Sequence, residues 1–259
     1  MSVSPEPSGC DPVRFAYWVP NVSGGLVTST IEQRTDWGYD YNRELAVLAE
    51  NNGFDYALTQ VRYMASYGAE FQHESTSFSL ALLLATQRLK VIAAVHFSNG
   101  RDFDGVTEQI NDVRASATQI GRRAPKFGLN GFLIARDTEA EARETLREIV
   151  AKADTRAVHG FRDAVQQAGP STTDGKGMWQ DSGFEDLVQY NDGFRTGLIG
   201  TPEQIAERIV AYKRLGVDLF LLGFLHYLEE VEYFGKKVLP LVRELEAQKA
   251  RSAPAAAHA

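Results

Sequence analysis

The sequence is poor in the residues that hold disulfide-rich and metal-containing proteins together. Cys10 is the single cysteine among 259 residues, so an internal disulfide is excluded. The five histidines are scattered without the spacing of metal ligands. Acidic residues outnumber basic ones, 34 to 27, which leaves no surplus of cations for a nucleic-acid backbone. With 44% hydrophobic residues, the composition predicts a soluble globular protein that acts on a small or neutral ligand.

Long apolar runs and targeting signals are also missing. No run approaches the roughly 20 residues that a membrane span needs. The start, MSVSPEPSGCDP, lacks the basic and apolar regions of a signal peptide, and together with the lone cysteine this favours a reducing cytoplasm. We expect disordered tails at residues 1–13 and 249–259, where Pro, Ser and Ala dominate. Neither a P-loop nor the GxGxxG and GxSxG motifs occur.

Apolar strands alternate with amphipathic helices along the chain, which predicts a parallel α/β sheet with right-handed crossovers. The predicted strands are residues 14–19, 54–60, 89–97, 126–135 and 217–223. An eight-stranded (β/α) barrel needs more strands than these five. The sequence therefore predicts one domain over residues 14–248 that forms an incomplete or rearranged barrel. Residues 154–199 break the alternation and are predicted to form a lid-like insertion, because irregular segments of this length usually cover a site.

One stretch, LKVIAAVHFSNGRD (residues 89–102), has two characters. Val91 to Val95 form a continuous apolar run, as expected of a buried parallel strand. His96 to Gly100 instead look like the end of another strand that continues into a polar loop. The stretch fits either one strand or the beginning of one strand joined to the end of another.

Several stretches carry a family resemblance that covers almost everything from Phe15 to Glu246. The most specific are VPNVSGG, AEFQHES, LVQYNDGF and FLHYLEEVEYFG. They resemble the bacterial-luciferase-like flavin monooxygenases, a TIM-barrel family, and among these the reduced-FMN-dependent dimethyl sulfone monooxygenases. In this comparison LKVIAAV resembles the third strand of the family, and HFSNGRDFDG resembles the segment after the sixth strand. The resemblance thus implies that an internal segment of the barrel is missing, with its junction near Val95 and His96.

The resemblance also implies an activity. Members of the family use oxygen and reduced FMN, which a separate NAD(P)H-dependent flavin reductase supplies, and the chain is expected to form a homo-oligomer. The implied reaction converts dimethyl sulfone to methanesulfinate and formaldehyde. Much of the family's FMN phosphate site lies on the missing strands, however. A catalytically impaired or non-catalytic remnant with a binding or structural role is therefore the alternative.

Candidate cofactor-binding residues lie at strand ends, where barrel enzymes place their sites. Trp18 and Asn21 end the first strand, but they fit a core aromatic residue and a loop amide equally well. Gln60 follows Thr59 at the end of the second strand, where the pair also suits a simple strand-end cap. Asn99 matches a flavin-facing position of the family, although SNG is also good turn chemistry. Tyr227, after the last strand, is the fifth candidate.

Candidate catalytic residues are Asn130, Arg195 and His226. Asn130 interrupts an apolar strand, and a buried amide needs polar partners; it suits a neutral sulfone. Arg195, where the predicted lid returns, could close over phosphate or substrate, or be a solvated loop cation. His226 could hydrogen-bond the substrate, or bridge to a glutamate of the following helix. Glu74 could belong to the site or simply favour the start of its helix. No metal site is predicted.

Overall fold

Seven strands and nine helices occupy the part of the chain that the computed structural model describes, which is residues 11–60, 67–92, 101–122, 125–168, 182–189 and 192–252. The strands are β1 (Arg14–Trp18), β2 (Tyr56–Leu58), β3 (Lys90–Ile92), β4 (Phe127–Phe132), β5 (Ile134–Ala135), β6 (Ile199–Gly200) and β7 (Val217–Gly223). The helices are α1 (Tyr39–Asn51), α2 (Ser75–Ala85), α3 (Phe103–Gln119), α4 (Glu139–Ala151), α5 (Thr155–Ala168), α6 (Phe184–Leu187), α7 (Pro202–Leu215), α8 (Tyr227–Tyr233) and α9 (Leu239–Ser252).

The main sheet has five parallel strands in the order β3-β2-β1-β7-β4. This order is a continuous arc of a (β/α) barrel in which the last strands pair with the first. The arc ends at β3 and at β4, and no described strand joins these two edges. The predicted incomplete barrel is thus confirmed.

The predicted strand over residues 126–135 is two strands in the structure. After β4 the backbone amide of Leu133 still donates to the carbonyl of Gly223, at 3.0 Å. The amide of Ile134 then donates to Leu198 instead, at 2.9 Å, and β5 pairs with β6 in a separate two-stranded sheet. The prediction of a single strand was wrong because an apolar run does not show where its hydrogen-bond partner changes. Beyond Ile92, the predicted strand 89–97 lies outside the described residues.

Helix ends follow local chemistry. α7 begins with a capping box at Thr201, has Pro202 at its first position, and ends at Gly216, which has a φ of 116°. These three residues also predict the start and the end of the helix from the sequence alone. A π-helical turn (Phe234–Val238) lies between α8 and α9, just before Pro240. Proline has no amide hydrogen to donate and its ring crowds the preceding turn, which accounts for an irregular helix here.

The two faces of the main sheet are covered to different extents. Phe15, Tyr17 and Phe220 lie on the face that packs against the helices and belong to the large core. The opposite face, which would line the inside of a closed barrel, has a small cluster made of Ala16, Leu58 and Leu221. Most of the core is therefore between sheet and helices, as in a barrel wall. No helix among the described residues is long and apolar enough to cross a membrane.

The predicted lid-like segment over residues 154–199 is partly helical. It contains α5, α6 and a 3-10 turn (Gly193–Thr196), while residues 169–181 and 190–191 lie outside the described part of the chain. Its role as a lid, like the predicted domain boundaries, stays a prediction.

Candidate functional site

Two of the predicted site residues meet at the carboxyl end of the main sheet. The indole Nε1 of Trp18, which ends β1, donates a hydrogen bond to Oδ1 of Asn130 on β4, at 2.7 Å. Asn130 is buried, whereas the indole is only partly covered. The amide therefore finds polar partners inside an apolar strand, as its burial requires. The pair gives this end of the sheet an aromatic wall next to an amide.

Asn21 and Gln60 also meet, but their described hydrogen bonds hold the backbone. The side chain of Asn21 donates to the carbonyl of Gln60 at 3.0 Å and accepts from the amide of Gln60 at 2.8 Å. The Gln60 side chain donates to the carbonyl of Val19, at 3.3 Å. These bonds join the segments after β1 and β2 much as a strand pairing would. Contact of either residue with a cofactor stays a prediction.

The start of α2 is built from short polar side chains. Thr59 lies within hydrogen-bond distance of the hydroxyls of Ser75 and Ser79, at 2.6 and 2.9 Å. Glu74 accepts from the backbone amides of Thr76 and Ser77, at 2.8 and 2.7 Å. The two amide hydrogen bonds lower the pKa of Glu74 to about 2. Glu74 therefore caps the start of α2.

His226 directly precedes α8, Tyr227 is the first residue of that helix, and both are held by α8 and by the loop after β1. The ring Nδ1 of His226 accepts from the backbone amide of Arg34, at 3.2 Å, and its own amide donates to Glu230, at 3.1 Å. His226 also lines a cavity of about 450 Å³ with Arg34, Arg136 and Glu230. Tyr227 is buried, and its hydroxyl has no hydrogen-bond partner among the described residues. Burial raises the pKa of that hydroxyl well above its ordinary value.

Arg195 lies on the 3-10 turn, next to the carboxyl end of β4. Phe194 packs edge-on against Phe132, with ring centroids 5.2 Å apart. At Gly193 an added Cβ would lie 2.7 Å from the backbone nitrogen of Phe132, so the turn sits directly on the strand only because a glycine stands there. Nη1 of Arg195 lies 3.6 Å from Asp192, which orients the guanidinium.

Asp192 is a buried carboxylate that sequence reasoning missed. It has a φ of 54°, a left-handed conformation that is uncommon outside glycine. Its Oδ2 accepts from the hydroxyl of Ser182 at 2.7 Å, and its Oδ1 has no hydrogen-bond partner in the described part of the chain. Burial raises its pKa to about 6, against the opposing effects of Ser182 and Arg195. The Asp-Gly pair in YNDGF was the available signal, because it is typical of tight turns.

The structure therefore gathers part of the predicted set at one end of the sheet. Trp18 and Asn130 are in contact, and Arg195 lies on a turn that packs against the strand of Asn130. His226 follows β7, the neighbour of β4 in the sheet. Asn99 lies outside the described residues. No cluster of three or more potential metal ligands occurs where side chains are described.

The described residues fit the planar ring system of a flavin better than they fit its phosphate. The partly exposed indole of Trp18 and the adjacent amide of Asn130 suit a planar ring with polar edges. A phosphate needs cations or free backbone amides. The three arginines Arg34, Arg136 and Arg195 already form ion pairs, with Glu229, Glu230 and Asp192. Trp18 and Asn130 thus suit the ring, whereas these three arginines are already paired with carboxylates.

Sequence comparison gives a consistent match over nearly the whole chain. A family model described as luciferase-like monooxygenase matches residues 13–99 and 95–219. The chain is 44% identical to an FMNH2-dependent dimethylsulfone monooxygenase of Pseudomonas fluorescens (strain Pf0-1), over 94% of this chain and 99% of that protein. It is 42% identical to a protein of the same name from Pseudomonas putida, over 95% of this chain and 99% of the other.

Structural comparison identifies the same fold at low sequence identity. DmoA from Hyphomicrobium sulfonivorans superposes with a TM-score of 0.63 at 12% identity, over 90% of this chain and 88% of that one. The long-chain alkane monooxygenase LadA gives a TM-score of 0.66, also at 12% identity, over 91% and 92% of the two chains. These likenesses support the barrel-type fold.

The comparisons also locate the missing segment. The alignment with the Pseudomonas fluorescens protein runs over 360 positions, more than the 259 residues of this chain, so the relative has many positions without a counterpart. The two matches to the family model meet at residues 95–99. The sequence analysis predicted a junction at this place, near Val95 and His96, where the two strand-like parts of LKVIAAVHFSNGRD meet.

Proposed function

The chain belongs to the luciferase-like monooxygenase family, and on this premise we propose that it is an FMNH2-dependent monooxygenase that oxidises a small organosulfur compound, dimethyl sulfone in particular. The observation that carries the proposal is the identity of 42–44% to two FMNH2-dependent dimethylsulfone monooxygenases, along 94–95% of the chain. The reaction would consume dimethyl sulfone, oxygen and FMNH2, and yield methanesulfinate, formaldehyde, water and FMN.

In this proposal the protein positions the reactants and the cofactor supplies the chemistry. Reduced FMN, when bound, provides the two electrons for oxygen activation. Asn130 offers a neutral amide donor to a sulfone oxygen, beside the indole of Trp18. Arg195 and His226 contribute polar groups at the rim, and Asn21, Gln60, Asn99 and Tyr227 complete the proposed cofactor side. Their contact with substrate or flavin is a proposal that rests on their place at the carboxyl end of the sheet.

Several wider features belong to the same proposal. FMNH2 would come from a separate NAD(P)H-dependent flavin reductase, because the proposed reaction consumes one FMNH2 in each turnover. A cytoplasmic location fits the single cysteine, and we also propose that the protein is a homo-oligomer.

An anaerobic titration of the protein with FMNH2, followed by flavin fluorescence, tests the binding part. We expect saturable binding near one flavin per chain, and weaker binding after Trp18→Leu. No binding at high micromolar flavin would contradict the proposal for this chain. Admission of oxygen and dimethyl sulfone, with formaldehyde as the measured product, then tests the reaction.

A catalytically impaired or non-catalytic member of the family is the second candidate. The observation that favours it is the open five-stranded sheet, because a (β/α) barrel normally builds its site from loops around the whole ring. Binding of FMNH2 without formaldehyde production would support this candidate, and repeated turnovers per chain would exclude it.

A further inference from the structure

Asp192 and Arg195 form an ion pair without a hydrogen bond. Nη1 of Arg195 lies 3.6 Å from Oδ2 of Asp192, which is too long for a hydrogen bond. No residue in the described part of the chain accepts a hydrogen bond from the Arg195 guanidinium. Arg136, by contrast, has its Nη1 2.8 Å from Glu230 and donates to the carbonyl of Ala135, at 2.7 Å. The charge of Arg195 is therefore balanced by Asp192, while its N–H groups stay available to a ligand.

The carboxylate of this pair is buried and the guanidinium is accessible. The side chain of Asp192 is 6% exposed and that of Arg195 is 26% exposed. Salt screens a buried charge only weakly, so Asp192 balances Arg195 over the ordinary range of ionic strength. Two further charged groups act on Asp192: Arg101, before α3, lowers its pKa, and Asp186, on α6, raises it. Because these two groups have opposite signs, their effects partly cancel, and Asp192 remains the counter-charge of Arg195.

The turn that carries Arg195 is fixed beside the proposed sulfone-binding residue. The carbonyl of Thr196 accepts from Nε of Arg208, at 2.7 Å, which anchors the turn to α7. A Cβ added at Gly131 would lie 3.4 Å from the hydroxyl of Thr196. Gly131 directly follows Asn130 on β4. Arg195 thus belongs to an anchored turn that packs against the neighbour of Asn130.

Charge separates the proposed substrate from molecules of similar shape. Dimethyl sulfone is neutral, and its two oxygens accept hydrogen bonds. Methanesulfonate has nearly the same size but carries a negative charge, as does the proposed product methanesulfinate. An arginine without a counter-charge binds such anions strongly, through charge-assisted hydrogen bonds. Beside a buried carboxylate this attraction is offset by repulsion, whereas a neutral oxygen still gains its hydrogen bond.

We propose that Asp192 determines specificity: it balances the charge of Arg195, so that the site accepts neutral sulfones and rejects sulfonate and sulfinate anions. The inference rests on the proposed function, because it takes Arg195 to face the sulfone. Asp192 acts through Arg195 and not by contact with the substrate. Burial raises the pKa of Asp192 to about 6. Protonation below that pH removes the counter-charge, so the discrimination against anions should weaken there.

Calorimetric titration of the full chain with methanesulfonate tests the inference. The titrations are run anaerobically, with and without FMNH2, so that the result does not depend on flavin binding. At about pH 7.5 we expect Asp192→Asn to bind methanesulfonate at least about tenfold more tightly than the parent, and dimethyl sulfone within about twofold of the parent. Asparagine tolerates the left-handed φ of this position, and circular dichroism checks the fold. Asp163→Asn, at an exposed position of α5, changes the net charge equally and should have no effect.

Two further measurements separate the proposed role from a general change in charge. The double variant Asp192→Asn with Arg195→Gln should lose the gain in affinity for methanesulfonate. In the parent, that affinity should rise at least about fivefold between about pH 7.5 and about pH 5, whereas Asp192→Asn should show no such dependence. Equal affinity for methanesulfonate in the parent and in Asp192→Asn, or a gain that survives in the double variant, would overturn the inference. The expected binding changes without formaldehyde production would support the inference and count against the proposed reaction.

Discussion

Glu50 shows how one side chain can fix the connection between a helix and the next strand. Its Oε2 accepts from three consecutive backbone amides, those of Gln87, Arg88 and Leu89, at 2.9, 2.5 and 2.7 Å. The pKa of Glu50 is lowered: desolvation raises it, but these amide hydrogen bonds outweigh that effect. One residue of α1 thereby sets the turn that leads into β3. Sequence reasoning passed over it, because a glutamate near a helix end is ordinary.

We predict that Glu50→Ala lowers the free energy of unfolding by on the order of 2–4 kcal/mol, since it leaves several amides without their charged acceptor. Glu50→Gln keeps an acceptor oxygen and should cost less. Urea unfolding followed by circular dichroism measures both. Glu44→Ala, at an exposed position of the same helix, is the control. Equal effects of Glu50→Ala and Glu44→Ala would contradict the assignment.

Asp192 should make stability depend on pH. Its pKa is raised from 3.8 to about 6 in the folded protein, so the folded state binds the proton more tightly than the unfolded state. The free energy of unfolding therefore falls as the pH rises from about 4 to about 6, and this contribution is constant above that range.

We predict that Asp192→Asn removes this dependence. The variant should be more stable than the parent above pH 6, by on the order of 2 kcal/mol, and similar to it near pH 4. Thermal melts at a series of pH values measure the difference. Asp163→Asn, at an exposed position of α5, should show no such crossover. A parent protein whose stability rises between pH 4 and pH 6, relative to Asp192→Asn, would contradict the raised pKa.

Asn130 allows a substitution that separates its two hydrogen-bonding roles. Asn130→Asp keeps the oxygen that accepts from the indole of Trp18, but removes the amide donor that we propose for the sulfone. We predict that kcat/KM for dimethyl sulfone falls about tenfold or more, because the site loses a donor and gains a negative charge. Formaldehyde release under steady supply of FMNH2 measures the rate. Asn111→Asp on the exposed face of α3 is the control, and equal rates for both variants would argue against the proposed role.

At the scale of elements, local signals predicted the helices well and the strand partners poorly. α7 carries its start and stop in Thr201, Pro202 and Gly216, all within one short stretch, so its bounds followed from the sequence. Trp18 and Asn130 are 112 positions apart in the sequence, and their hydrogen bond could not be predicted. The positions of the strand ends predicted only that both residues lie at the same edge of the sheet. The switch from β4 to β5 depends on Leu198, which an apolar run does not reveal.

The candidate site, too, could be predicted from the sequence only in part. Strand-end polar residues could be identified because a buried amide in an apolar strand requires a partner. The roles of Asn21 and Gln60 could not be predicted, because the Asn21 side chain bonds the backbone of Gln60, and the Gln60 side chain bonds the carbonyl of Val19, only after the two segments meet. Asp192 was missed because its burial comes from distant packing, and its own sequence context indicates only a turn.

At the scale of the whole molecule, the open sheet should give its strands unequal stability. β1 pairs with β2 and β7, and β7 pairs with β1 and β4, so both are central. β3 pairs only with β2, and β4 only with β7, among the described strands. In a closed barrel every strand has two neighbours, which would remove this difference.

We predict that backbone amides of β1 and β7 exchange with solvent at least about tenfold more slowly than those of β3, because edge strands open without breaking the rest of the sheet. Hydrogen–deuterium exchange with mass spectrometry measures the rates for each strand. Uniform protection of all five strands would mean that the barrel is closed by contacts beyond the five-stranded arc.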